Sequence, residues 1–293
     1  MDTARSIDHV VLPTAELGTA RKRMEQLGFT VAPDARHPFG TENACVFFQD
    51  GTYLEPLAIF DREMCEEAAL AGNVFLQRDQ AYRFRRGQEG FSALVMASDD
   101  AGRDRETFRT AGISAGDNLS FSRPFQAPDG SQADASFELA FAADLRAPDV
   151  FFFACERKNI PPVDRTALQN HANGTTGIRQ IVMSEQNPGD FQSLLQQVVQ
   201  QRDVNAHSSG IELEARNAAI IALNADGMSG FFGMTGGTHA RGLRLRGIVF
   251  GVADLASLET RLAHENIAHT RIAERLVVPE AEGQGAFFAF EGH

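Results

Sequence analysis

Two side chains of the types that hold metals or move protons stand at opposite ends of one stretch: His9, just before the run that starts at Val10, and Glu55, in "TYLEPLAI". Brought together, an imidazole and a carboxylate supply the nitrogen and oxygen donors that suit first-row divalent ions. The same pair serves acid–base chemistry when the carboxylate lies within hydrogen-bond reach of the proton it takes. Glu55 sits between Leu54 and Pro56 on an apolar run, and a buried carboxylate needs a metal, a cation or water beside it. His9 has a second interpretation, a half-buried histidine whose ring nitrogen satisfies a backbone carbonyl.

Arg36 and His37 precede the loop "PFGTEN". They stand either as recognisers of a substrate carboxylate or carbonyl, for which arginine offers a planar fork of donors, or as members of a solvated loop whose Gly40 and Asn43 set the turn. Thr41 and Asn43 are candidates to donate hydrogen bonds to a ligand. Arg123 and Arg179 read as exposed cations paired with an acidic surface, His171 and Asn173 as turn or capping residues, and His264 and His269 as surface groups. "GMTGGTH", Gly233 to His239, lacks the lysine and the strand-to-helix setting of a phosphate loop, which argues against nucleotide binding. Cys45, Cys65 and Cys155 are too few and too scattered for a disulfide framework or a cysteine-rich zinc site.

The elements that must position these residues recur four times as strand, amphipathic helix and three further strands. The first unit has a strand at Ile7–Leu12, a helix over Glu16–Leu27 ended by Gly28, and strands around Thr30, at Cys45–Phe48 and at Tyr53–Ile59. The second starts at Phe91–Met96 and has a helix near Arg103–Ala111. The third starts at Ile178–Met183 with a helix over Asp190–Gln201, and the fourth at Leu245–Phe250 with a helix over Leu255–Glu265. Aligned first strands place His9, Ala93, Gln180 and Gly247 together, and aligned last strands place Glu55, Glu156, Asn224 and Glu291 together. The separations are 46, 63, 44 and 44 residues, so the second unit carries an insertion, assigned to "SRPFQAPDGSQ". Asp61–Glu89 reads as one or two inserted helices. The division expected is a first half at 1–158, a linker at 159–176 rich in Pro, Asn and Gly, and a second half at 177–293.

The bulk properties narrow the partners. A formal charge of −12 argues against nucleic acid, which is held by surplus Lys and Arg. No run of apolar residues is long enough to span a membrane, and "MDTARSIDHVV" lacks the layout of a secretory signal. A cytoplasmic location is expected.

Asp8-His9-Val10-Val11, Leu27-Gly28, Ala35-Arg36-His37-Pro38, Gly40-Thr41-Glu42-Asn43 and "YLEPLA" together resemble the glyoxalase-like domain family of the vicinal oxygen chelate superfamily. The likeness is strongest over residues 7–59 and extends through "HANGTTGIRQIVM". It implies an α+β fold of four βαβββ modules that pair into two curved mixed sheets or cups. It also implies a divalent metal, with zinc, manganese, nickel and iron all candidates, held in the first-half cup by His9, Glu55 and Glu156. Glu55 or Glu156 would act as ligand or proton shuttle. The second half, offering Gln180, Gly247, Asn224 and Glu291, is a poor donor set and is expected to be structural or dimerising. A His-His-carboxylate iron triad is missing at the aligned positions. The activity implied is a metal-dependent lyase or isomerase acting on a small oxygen-rich molecule. The alternative is a metal-free small-molecule binding protein of the bleomycin-resistance type, with no cofactor. A homodimer fits either.

Overall fold

The computed structural model describes residues 4–126, 132–159, 164–234 and 241–292. Much of the glycine-rich segment Gly233–His239, the centre of the second-unit insertion and residues 160–163 of the linker lie outside the described residues.

The first half runs β1 (Ile7–Pro13), α1 (Leu17–Gln26), β2 (Ala35–Arg36), β3 (Thr41–Asn43), β4 (Val46–Phe47), β5 (Tyr53–Ile59), α2 (Arg62–Leu70) and α3 (Val74–Arg86). It continues with β6 (Ala93–Ser98), α4 (Ala101–Thr110), β7 (Leu119–Gln126), β8 (Gln132–Ala142) and β9 (Phe151–Asn159). The second half runs β10 (Thr175–Ser184), α5 (Gln192–Val199), β11 (Asn205–His207), β12 (Gly210–Glu214), β13 (Ala219–Leu223) and α6 (Ala225–Phe232). It closes with β14 (Arg244–Val252), α7 (Leu255–His264), β15 (Thr270–Ile272), β16 (Arg275–Val278) and β17 (Phe287–Gly292). The fold is α+β, and both sheets are mixed.

Each half is one sheet made from two units. The nine-stranded sheet has the order β2-β3-β5-β1-β6-β9-β8-β7, with β4 also on β5, and the eight-stranded sheet has the order β11-β12-β13-β10-β14-β17-β16-β15. The units join through their first strands, β1 antiparallel to β6 and β10 antiparallel to β14. In each unit the last strand runs parallel to the first, as β5 does beside β1, which brings sequence-distant positions side by side.

Strand alternation then sorts the side chains by face. Val10, Leu12, Leu94, Met96, Phe152 and Ala154 turn toward α1 and α4, where they merge with Ile181, Met183, Ile248 and Phe250 of the other sheet into one continuous core. Phe48, Phe250, Phe288 and Phe290 are fully buried there, each worth about 1.5–3 kcal/mol of apolar burial. Val11, Ala93, Val95, Phe151 and Phe153 face the other way, into cup one, where α2 and α3 bring Cys65, Val74, Phe75 and Leu76 against them. In the second half Val182, Ile221, Val249, Phe287 and Ala289 face cup two, packed by Met228 and Phe232 of α6.

One local expectation is corrected, and one helix is added to those expected. The run around Thr30 is not a strand, because the linker takes its hydrogen-bonding groups: Thr30 N–H donates to His171 Nδ1 at 3.0 Å and its hydroxyl to the Asn170 carbonyl at 2.5 Å. The helix α6, which the periodicity does not announce, is begun by Asn224, whose side chain accepts from Gly227 N–H at 2.9 Å, and is ended by Gly233 at φ +66°.

Candidate active site

His9 on β1 and Glu55 on β5 lie on adjacent parallel strands, where Val11 pairs with Glu55 and His9 with Tyr53. The imidazole Nε2 is 3.3 Å from Glu55 Oε2. A register shift between Ile7 and His9 in the β1–β6 ladder is the kind of bulge that re-aims neighbouring side chains. Asp8 sits at this bulge and turns its Oδ1 to His9 Nδ1 at 2.6 Å, while its Oδ2 accepts from Arg157 at 2.8 Å. The His9 ring stacks on Tyr53 at 4.3 Å, so its orientation is set from two sides and Nε2 is left facing Glu55.

Glu55 Oε1 accepts from Asn43 Nδ2 at 2.6 Å and stands 3.9 Å from His37 Nε2. His37 Nδ1 meets the Thr41 hydroxyl at 2.9 Å. Asp8, His9, His37, Asn43 and Glu55 are all buried. Burial by itself would push the two carboxyls up and His9 down. The Asp8–His9 and His9–Glu55 hydrogen bonds, reinforced by the opposite charges, outweigh it, so both carboxyls are held below their ordinary range and His9 is raised above its own. His37, buried and beside the Arg123 and His9 charges, is lowered to about 4 despite Glu55, and is neutral at neutral pH.

These groups open into a pocket whose walls include Phe39, Phe75, Phe121, Phe137, Leu139 and Phe153. The pocket encloses about 450 Å³, its open mouth included. It is a narrow, mostly apolar slot with a polar end, the form a small-molecule site takes.

The structure does not bring all the sequence candidates together. His9, His37 and Glu55 line the pocket. Thr41 and Asn43 are turned to His37 and Glu55, which they position. Arg36 is out of the site: its side chain is 68% exposed, pairs with Glu42 at 3.4 Å and lies over Phe60. Glu156 is also outside, because β9 turns Cys155 into the pocket and Glu156 to the opposite face. There Glu156 Oε2 caps the start of α4 by accepting from Ala101 N–H at 2.8 Å, and Oε1 pairs with Lys158 at 2.8 Å. The residue of β9 that matches Glu55 in register is Phe153, since Val95 pairs with Phe153 as Val11 pairs with Glu55.

The model of the glyoxalase-like domain family matches residues 7–199 of the chain, which includes all of cup one and its continuation into the second half. The chain belongs to the glyoxalase-like domain family. No curated protein matches it. Among solved structures, a hypothetical protein from Staphylococcus aureus superposes with a TM-score of 0.67 at 12% identity, over 98% of this chain and 99% of that one. The Mn(II)-bound glyoxalase from Novosphingobium aromaticivorans does so at 0.52 and 10%, over 99% and 83%. The 2,2',3-trihydroxybiphenyl 1,2-dioxygenase from Sphingomonas wittichii does so at 0.51 and 11%, over 99% and 91%. At these identities the likeness shows that this glyoxalase-like chain shares their fold across both halves.

Whether its donors suit a divalent ion is a matter of geometry. Cis donors on one ion with bonds of about 2.1 Å stand about 3 Å apart, close to the 3.3 Å between His9 Nε2 and Glu55 Oε2. Asp8 lies behind His9 as the carboxylates behind metal-bound histidines do. Among the described residues no group of three His, Cys, Asp or Glu side chains is arranged to hold an ion. His9 and Glu55 would supply two donors to an ion placed between them, and any further positions would fall to water or ligand oxygens.

Three contributors to the site went unread in the sequence. Asp8 was visible only as part of a motif. Tyr53 lies under His9, and its π-face also receives Arg157 at 5.8 Å. Arg123, which the sequence places on an acidic surface, lines the pocket. Its signal was the strand alternation that puts it on the same face as Phe121.

Proposed function

We propose that cup one is the active site of a metal-dependent glyoxalase-like lyase or isomerase that acts on a small oxygen-rich organic molecule. The observation that carries this is the convergence of His9 Nε2 and Glu55 Oε2 at 3.3 Å on the floor of an apolar slot. His9 and Glu55 would hold the ion, which when bound polarises substrate oxygens as a Lewis acid. Asp8 keeps a carboxylate on His9 Nδ1, so that Nε2 is the ring atom presented to the cup. Asn43 fixes Glu55 Oε1, and Glu55 is in the carboxylate form required to take a proton or bind a cation. His37, neutral and anchored by Thr41, presents Nε2 beside Glu55 as a hydrogen-bonding group for substrate. The phenylalanine walls exclude water, which strengthens every polar contact at the slot's end.

The test is titration of metal-stripped protein with Mn²⁺, Zn²⁺, Ni²⁺ and Fe²⁺, followed by calorimetry, for the wild type, His9→Ala and Glu55→Gln. One ion per chain in the wild type, lost in both variants, is the expected result. A wild type that takes up none of the four while still binding small molecules overturns this assignment and leaves the binding-protein function in its place.

A further inference from the structure

Among the described residues lining cup one, Arg123 is a cation with no carboxylate within ion-pair distance. Asp8 is paired with Arg157 at 2.8 Å and with His9 at 2.6 Å, and Glu55 is engaged by His9, Asn43 and His37. Arg123, on β7, lines the same slot. Its Nη1 is buried and finds no hydrogen-bond partner among the described residues, and its guanidinium lies over the Phe137 ring at 5.8 Å. A buried guanidinium nitrogen left without an acceptor costs on the order of 1–3 kcal/mol or more, a cost removed when a ligand oxygen reaches it. The Arg123 charge acts across the slot, being one of the influences that lower His37.

We propose that cup one takes a small organic monocarboxylate, its carboxylate held by Arg123 and its apolar body against the phenylalanine walls, with its far end at His9 and Glu55. Three features select this class. A guanidinium fork matches a carboxylate in plane and spacing. In the metal-free chain Arg123 balances a monoanion, whereas a phosphate dianion would leave a negative charge uncompensated. The walls are phenylalanine and leucine, which reward an apolar body and offer nothing to a bare inorganic ion. This inference rests on cup one being the ligand site and names the class of molecule that enters it.

The experiment uses benzoate, its neutral isostere benzamide and inorganic phosphate as probes, with binding to the full chain followed by calorimetry and by the shift in melting temperature. Wild type is expected to bind benzoate at least roughly tenfold more tightly than benzamide, the lower end of what a hydrogen bond to a charged group supplies, and to bind phosphate more weakly than benzoate. Arg123→Gln should abolish the benzoate preference while leaving benzamide affinity within about twofold. Arg123→Lys, which keeps the charge but not the fork, should retain part of it. Circular dichroism of both variants distinguishes a lost contact from a lost fold, and Arg123→Lys carries the test should Arg123→Gln not fold. Equal binding of benzoate and benzamide, absence of both at millimolar concentration, phosphate equal to benzoate, or a preference that survives Arg123→Gln would each overturn the proposal. No metal or turnover is needed: the titrations are run on metal-stripped protein, so a benzoate preference that is lost in Arg123→Gln stands whether or not the chain takes up an ion, which keeps failure here separate from failure of the metal assignment.

Discussion

The two cups are built from the same parts and filled differently. In cup one the positions on β1 and β5 hold His9 and Glu55, and the slot between its aromatic walls stays open. In cup two the register-matched positions on β10 and β13 are Gln180 and Ile221. Gly247 of β14 leaves room for the Phe287 ring, which would lie 2.5 Å from a Cβ added there. Phe232 of α6 packs on Phe287 with ring centroids 4.9 Å apart, and Arg275 lies over Phe232. Even the bulge is repeated: the shift between Ile7 and His9 has a counterpart between Ile178 and Gln180, but the residue at the bulge is Asp8 in one and Arg179 in the other. A duplicated scaffold can thus keep one concave face open and fill the other with packed side chains.

If cup two is packing, emptying it should cost stability and nothing else. Phe287→Ala is expected to destabilise the fold by about 3–5 kcal/mol, read from the denaturant midpoint, with ion uptake at cup one unchanged. Loss of ion binding alongside stability would show that the cups are coupled and blur the contrast. In cup one the order is reversed. Asp8→Asn removes the charge behind His9 and should lower divalent-ion affinity by about ten- to a hundredfold, measured by competition with a chelating dye. An unchanged affinity would leave Asp8 as no more than a partner of Arg157.

The fold was legible where periodicity carries it. Four repeats of strand, helix and strands follow from apolar spacing and element order, and the inserted helices after Asp61 from a composition rich in Glu, Ala, Arg and Gln. Hydrogen-bond register was not legible. Matching strand ends by polar residue type aligned Glu55 with Glu156, Asn224 and Glu291. The ladders instead pair Val11, Val95, Val182 and Val249 with Glu55, Phe153, Ile221 and Ala289. Glu156 and Asn224 are both helix caps, a use of polar side chains at strand ends that composition does not separate from catalysis. Asp8 was hidden for a related reason: simple alternation would put it on the face opposite His9, and a bulge is not written in residue type.

The contrast between cups presupposes that the linker stays packed on the first half, and His171 is one of the pins. Its Nδ1 accepts from Thr30 N–H, so Nε2 carries the proton given to the Phe47 carbonyl at 3.0 Å. Burial lowers its pKa below 6.5, only partly offset by the Phe47 hydrogen bond. A folded pKa below the unfolded value means that the unfolded chain binds the proton more readily. The contribution of His171 is therefore complete above pH 6.5 and is lost as pH falls through the folded value. Wild type should lose stability more steeply below pH 6.5 than His171→Gln, measured by denaturant unfolding across that window. Equal slopes would remove His171 from the docking contacts.

The smallest expected effect separates two arginines the sequence ranked in the opposite order. Arg36 follows the motif position that suggested ligand recognition, yet its pairing with Glu42 is at the surface, where an ion pair contributes about 0–1 kcal/mol. Its stacking on Phe60 at 4.4 Å is the one contact that exceeds a solvated pair, and exposed cation–π contacts are worth about 0.5–1 kcal/mol. Arg36→Ala should therefore shift stability by no more than about 1 kcal/mol and leave benzoate binding as in the wild type, both read in the same titrations as the Arg123 variants. The prediction turns on position and not on chemistry, since the two guanidiniums are identical. A loss of benzoate affinity in Arg36→Ala would mean that the loop after β2 folds over the slot when a ligand is bound, and that the anion is shared between both arginines.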